Sequence, residues 1–257
     1  MFEMLKHQLK TWAPLKKKGA KGPGVLREMF PEASDLDLHR LAEAAPFTMT
    51  SPERLWALRG AVKYVVERGV PGDFAETGVW RGGSSMLIAY SLLDLGASQR
   101  NIWLYDTFEG MPAPSERDVQ VLGGETAQKH FEAERTGEDS SAWCNAPLDE
   151  VRANMAAAGH PPAQTKFVIG KTQLTLAEPS NRPERLALLR LDTDWYESTR
   201  AELEHMFDLL SPGGVLIVDD YGHWAGCMRA VDEFFAAREQ KYLLNRIDYT
   251  GRMMVKA

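Results

Sequence analysis

The chain has 257 residues, 44% hydrophobic and 26% charged, with a formal net charge of −6, which suits one large globular domain with a sizeable core and a small appendage. The acidic balance argues against a general nucleic-acid binder, no segment approaches the ~20 apolar residues that span a bilayer, and two cysteines, Cys144 and Cys227, are too few for a disulfide framework and lack metal-ligand spacing. The start has neither the apolar core nor the small-residue cleavage site of a secretory signal, so the expectation is a cytoplasmic protein with reduced thiols, in which Lys16, Lys17, Lys18 and Lys21 form a solvated tail.

Residues 1–45 read as a basic start followed by one or two short helices ("SDLDLHRLAEAA"), ahead of a main domain over 46–257. A helix enters at "TMTSPERLWALRGAVKYVVERG": Thr50 and Glu53 have the form of a capping box, and Pro52 suits a first turn. Leu55, Leu58, Val62, Val65 and Val66 fall at helical spacing, and Gly69 and "PG" at 71–72 end the helix. The chain then alternates. Strand "DFAE" (73–76) leads through a glycine-rich turn to a helix over "SSMLIAYSLLDLG", and "NIWLYD" (101–106) is the second strand. A polar stretch from 109 to about 147 carries helical pieces at "ETAQKHFEAER" and "PLDEVRANMAAAG". "KFVIG" (166–170) and "LALLRLD" (186–192) are the third and fourth strands; the helix "STRAELEHMFDLL" and "SPGG" lead to the fifth, "VLIVDD" (215–220). The helix "CMRAVDEFFAAR" precedes "YLLNRID" and "RMMVKA", too close together for a crossover and so antiparallel at an edge. Apolar strands alternating with helices make an α/β fold, a mostly parallel sheet of about seven strands covered on both faces.

In such sheets ligands bind beyond the carboxyl ends of the strands. The first end is "AETGVWRGGSS" (75–85), where Gly78, Gly82 and Gly83 let the backbone turn tightly and the next helix offers free N–H groups. The pattern is not the G-x-G-x-x-G of a dinucleotide site. Glu76 would repel a pyrophosphate and attract a cation such as the α-amino group of S-adenosylmethionine, while Asp106, ending the second strand, is placed for ribose hydroxyls. At the fourth and fifth strand ends, expected to be neighbours about 4.8 Å apart, stand Asp192, Asp194, Asp219 and Asp220. Carboxylates so crowded repel one another, and a hard divalent ion such as Mg²⁺ is their natural partner. Asp194 also fits a helix N-cap, and "DDYG" also fits a turn. A metal-held hydroxyl with an adjacent carboxylate as base is a competent nucleophile; His223, just past the acidic pair, is a second candidate base.

Together "TMTSPERLWAL", "GDFAETGVWRGGSS", "YDTFEGMP", "LLRLDTDWYEST" and "LSPGGVLIVDDYG" resemble, in order and over about residues 46–235, the macrocin O-methyltransferase family. The resemblance implies a Rossmann-like class I methyltransferase fold with an N-terminal helical cap and a lid-like insertion at about 110–165. It implies metal-dependent transfer of methyl from S-adenosylmethionine to a sugar hydroxyl in macrolide or aminocoumarin pathways, often by a homodimer or higher homo-oligomer. Carried over, Met49, Glu76, Trp80, Arg81 and Asp106 would contact the cofactor, with Gly78, Gly82, Gly83, Ser84 and Gly170 completing the set. Asp192, Asp219 and Asp220 would hold the metal, and Asp194 or Asp192 would act as base. Catechol-type O-methyltransferases are more distantly similar, with Asn where Asp220 stands here. Trp143, within the insertion, fits either a stacking contact with a ring or a core or surface position. Two further readings compete: a glycosyltransferase using Asp192-Thr193-Asp194 as a D-x-D site, and a non-catalytic cofactor-binding subunit. An acceptor with a non-sugar vicinal diol is also open.

Overall fold

The computed structural model describes residues 23–257, so Lys16, Lys17, Lys18 and Lys21 lie outside the described residues. Seven strands form one sheet: β1 (Asp73–Thr77), β2 (Ile102–Asp106), β3 (Thr165–Ile169), β4 (Leu186–Leu191), β5 (Leu210–Val218), β6 (Asn245–Arg246) and β7 (Arg252–Val255), in the order β3-β2-β1-β4-β5-β7-β6. The first five are parallel, and β7 runs antiparallel to both β5 and β6. β4 is central and its six residues are all buried, which is why it reads as an apolar run, interrupted by Arg190 alone, rather than an alternation.

Side chains alternate between the two faces of the sheet. Phe74, Leu188 and Ile217 pack under the helices α1 (Pro23–Met29), α2 (Asp35–Ala44), α3 (Pro52–Glu67), α4 (Gly83–Asp94) and α6 (Leu148–Ala157). Ala75, Leu189, Leu216 and Val218 pack on the other face, against α8 (Tyr196–Met206) and α9 (Ala225–Ala236). Two short helices, α5 (Ala127–Ala133) and α7 (Thr172–Thr175), complete the set. Leu26 and Leu41 of α1 and α2 belong to the same core as α3 and α4, so among the described residues the segment before 46 shares the core of the main domain. Buried ion pairs reinforce that docking: Arg59 reaches Asp37 and Asp94, each at 2.9 Å.

Three local details differ from the sequence reading. The N-cap of α3 is Ser51, whose hydroxyl accepts from the Arg54 N–H at 3.1 Å; Thr50, one residue earlier, is left free for other bonds. The capping box that does form lies at Ser34 and Asp37, at the start of α2. β5 begins at Leu210 because the C-terminal chain pairs with "SPGG": Lys256 donates its N–H to the Gly214 carbonyl at 2.8 Å. "YLLNRID" keeps only two paired residues, since β6 is the sheet edge and no described residue pairs with its outer side.

The turn from β1 to α4 is fixed by close approach. Gly78 has φ +76°, and a Cβ there would lie 1.9 Å from the backbone oxygen of Asp192. Two strand ends are therefore pressed together where only glycine fits. Gly78→Ala is expected to cost more than about 1 kcal/mol in urea unfolding; an unchanged midpoint would contradict the close approach.

Candidate functional site

The site is organised by a charge inside the sheet. Arg190 of β4 is 1% exposed. Its Nη1 donates to Glu76 Oε1 and Asp192 Oδ2, each at 2.6 Å, and its Nη2 donates to Thr50 Oγ1 at 2.7 Å and Asp219 Oδ1 at 2.6 Å. The register sets Arg190 beside Glu76 on β1 and Ile217 on β5, so one guanidinium links three strand ends and the residue before α3. Burial opposes its charge, but Asp192 and Glu76 outweigh that and hold its pKa above the usual value. Asp219 also receives Arg54, which in turn donates to Asp248 at 3.1 Å. The ion pairing at these strand ends thus comes first from within the chain. This corrects the expectation for Asp219, whose two oxygens face arginines.

The carboxylates that converge instead are Asp192, Asp194 and Asp220, with one oxygen from each lying within 4.8 Å of the others. Adjacent residues at a strand end point to opposite sides, so Asp219 turns toward Arg190 while Asp220 joins the other two. Among the described residues Asp220 Oδ2 is buried and has no hydrogen-bond partner. Burial raises the pKa of Asp192 against the pull of Arg190, with Asp220 adding repulsion; burial and Asp220 likewise raise Asp194 well above the ordinary range. Hard oxygen donors short of positive charge fit a divalent cation such as Mg²⁺. Asp194 is held at φ +71°, and the Trp195 N–H donates to the Thr193 carbonyl at 2.8 Å. That is a tight γ-turn of the rarer, strained hand.

These groups line one side of a cavity of about 290 Å³ that opens at the carboxyl ends of the strands. Met49, Glu76, Gly78, Trp80, Ser84, Asp106 and Gly170 line it too. Arg81, Gly82 and Gly83 are not among the lining residues: Arg81 pairs with Glu150, and a Cβ on Gly83 would lie 2.6 Å from Phe47 backbone. Glu76 is fully buried, bonded to Ser85 and Arg190; burial lifts its carboxyl to about 7, with Arg190 and Ser85 opposing. Asp106 Oδ2 accepts from the N–H groups of Val79 at 2.6 Å and Trp80 at 3.1 Å, which holds the turn around Trp80 at φ +46°.

The remaining wall comes from the insertion. Trp143 lines the cavity and packs on Trp195 and Trp224, with ring centroids 5.5 and 6.2 Å away. The segment 119–121 is bonded to the loop after β5: the Ala225 N–H donates to the Val119 carbonyl at 2.8 Å, and the Val121 N–H to the His223 carbonyl at 2.9 Å. His223 lies in the wall with its Nδ1 3.1 Å from the Tyr249 hydroxyl, and burial, then Arg54 and His130, lower its pKa. Both cysteines are free, and burial pushes the Cys144 thiol up, with Asp194 and Asp192 adding to it.

Residues 27–256 match the family model described as Macrocin-O-methyltransferase (TylF). An 8-demethyl-8-(2,3-dimethoxy-alpha-L-rhamnosyl)-tetracenomycin-C 4'-O-methyltransferase of Streptomyces olivaceus is 37% identical over 222 residues, 86% of this chain and 80% of that one. A demethyldecarbamoylnovobiocin O-methyltransferase of Streptomyces niveus is 34% identical over 204 residues, 79% and 73% of the two chains. The solved structure of the O-methyltransferase NovP matches with a TM-score of 0.69 at 33% identity, over 82% of each chain. The glycosyltransferase reading of Asp192-Thr193-Asp194 and the non-catalytic reading are overturned by these matches.

A residue missed by the sequence reading lies beneath the site. Glu202 of α8 is fully buried and accepts from Thr193 Oγ1 at 2.8 Å. Burial raises its carboxyl to about 7, while the hydroxyls of Thr193, Thr172 and Thr77 lower it. The folded state therefore holds this proton more tightly than the unfolded chain does. Its contribution to stability is complete below pH 4.5, the ordinary value, and is lost as pH rises through about 7. The loss is on the order of 3 kcal/mol. The melting temperature of Glu202→Gln should gain on that of the wild type between pH 5 and pH 8; a constant difference would contradict the shift.

Proposed function

The chain belongs to the macrocin O-methyltransferase family and is an S-adenosylmethionine-dependent O-methyltransferase, and from that premise we propose that it methylates a sugar hydroxyl of a natural product with a divalent cation held at the strand ends. The observation that carries the metal part is the convergence of Asp192, Asp194 and Asp220 around an unpartnered Asp220 Oδ2. The sugar part rests on the relative named for a rhamnosyl tetracenomycin, and the natural-product part also on the one named for demethyldecarbamoylnovobiocin.

Asp192, Asp194 and Asp220 would hold the ion, Mg²⁺ being the one best suited to hard oxygen donors that leave room for substrate. When bound, it supplies Lewis acidity that lowers the pKa of the acceptor hydroxyl and fixes its direction. Asp194 then takes the hydroxyl proton, with Asp192 as the alternative base. His223, with its pKa lowered, also faces the cavity as a neutral acceptor. On the cofactor side, Met49, Trp80 and Asp106 bound the space for S-adenosylmethionine, and Glu76 offers a carboxylate to its α-amino group from the end of β1. Trp143 presents an aromatic face to the acceptor. Much of the rate is then positioning of hydroxyl and methyl group. A cytoplasmic homo-oligomer whose insertion closes over the acceptor goes with this reading.

The test is methyl transfer from labelled S-adenosylmethionine to rhamnosylated acceptors by chelator-stripped enzyme. Turnover is expected to stop on stripping and to return with Mg²⁺. Asp194→Asn should lower kcat by about 10²–10⁴, with affinity for S-adenosylhomocysteine retained. Full turnover in excess chelator would remove the ion from the mechanism.

A further inference from the structure

The Asp192–Asp194 turn carries two of the three converging carboxylates, yet its backbone is strained at Asp194. Such conformations cost of order 1–3 kcal/mol and persist only where the surroundings over-determine them. The Asp192 N–H donates to the Thr77 carbonyl at 2.9 Å, which fixes the first residue of the turn. The middle residue, Thr193, is fixed by its side chain, through the bond of its hydroxyl to Glu202 Oε1. Ser198 Oγ adds a longer bond, 3.4 Å, to the Thr193 carbonyl.

Glu202 is an unusual choice for that position. It is 0% exposed, and among the described residues no salt bridge reaches it. Among the described residues its second oxygen, Oε2, has no partner within hydrogen-bond geometry. A buried acid with no cation and a half-satisfied set of hydrogen bonds destabilises a core. A leucine on this face of α8 would pack beside Leu203 and Met206 without that penalty. What the carboxylate supplies that leucine lacks is an acceptor aimed at Thr193.

We propose that Glu202 is a positioning residue: through the Thr193 hydroxyl it holds the Asp192–Asp194 turn in the left-handed form that directs both carboxylates into the cavity. The metal-affinity part of the test rests on the reading of the site given above; the backbone part does not.

The experiment is hydrogen exchange by mass spectrometry on metal-free protein, following peptides across residues 190–198, in Thr193→Val, Thr193→Ser and Glu202→Gln. Thr193 is half-buried at the cavity wall, so its valine variant keeps the core intact. Thr193→Val should speed exchange in this turn by about 10-fold or more, with the rest of α8 unchanged. Thr193→Ser, which keeps a donor, and Glu202→Gln, which keeps an acceptor, should restore slow exchange. In parallel, Mn²⁺ affinity should fall about 10-fold in Thr193→Val, while S-adenosylhomocysteine affinity stays within about twofold of the wild type. Unchanged exchange in Thr193→Val, equal acceleration along all of α8, or a serine variant that behaves like the valine one would overturn the proposal. If the wild type itself binds no Mn²⁺, the metal reading fails, and the exchange result still decides the role of Glu202.

Discussion

The Arg190 guanidinium is the constraint on which the rest of the site depends. Five carboxylates, Glu76, Asp192, Asp194, Asp219 and Asp220, meet at the ends of β1, β4 and β5. Among the described residues, Arg190 and Arg54 are the only cations paired with members of that group. Without Arg190, Glu76 and Asp219 would be buried acids with reduced or no compensation, a situation that destabilises folds by several kcal/mol. With it, the strand ends fold, yet burial, with repulsion between the carboxylates adding to it, still raises the pKa values of Glu76, Asp192 and Asp194, so the cluster stays short of positive charge. The same shortage is what the proposed cation would relieve. Fold and chemistry are joined at one side chain.

Arg190 also ties the two halves of the cavity together. Its Nη1 contacts Glu76 at the end of β1 and Asp192 in the carboxylate cluster. Thr50 enters the same network from the segment that leads into α3, so the N-terminal helices are coupled to the floor of the site. On the opposite wall, Trp143, Trp195 and Trp224 join the insertion to the loops after β4 and β5. Each of those loops thus carries a carboxylate toward the cavity and a tryptophan against the insertion. Packing of the insertion and placement of the acids are therefore linked through very short stretches of chain.

Much of this architecture was legible because a parallel sheet leaves a plain trace. Fully buried strands such as "LALLRL" are apolar runs, and the glycines and acids follow at their carboxyl ends. The capping error at α3 has a simple origin. Thr50 and Ser51 are both good caps by chemistry, and the choice is made by Arg190, which engages the Thr50 hydroxyl from a residue 140 positions away. Arg190 itself was visible as the one charge in an apolar strand, a strong sign of a buried ion pair, but the positive charge at the strand end was assigned to a metal alone. Asp219 and Asp220 could not be told apart by spacing, since only the facing direction at the strand end separates them. Glu202 left no trace, because "AELEH" reads as an ordinary solvated helix face. The insertion was unreadable for a different reason: it is polar, has no sustained periodicity, and is held by isolated bridges rather than by a ladder.

The central claim is that the strand ends hold one divalent cation against Asp192, Asp194 and Asp220. The most direct measurement is a Mn²⁺ titration of chelator-stripped protein followed by electron paramagnetic resonance, repeated with Mg²⁺ as competitor. The account predicts a single saturable site that Mg²⁺ displaces and that Asp192→Asn weakens. Mn²⁺ that remains free at every protein concentration, or binding indifferent to Asp192→Asn, would contradict it.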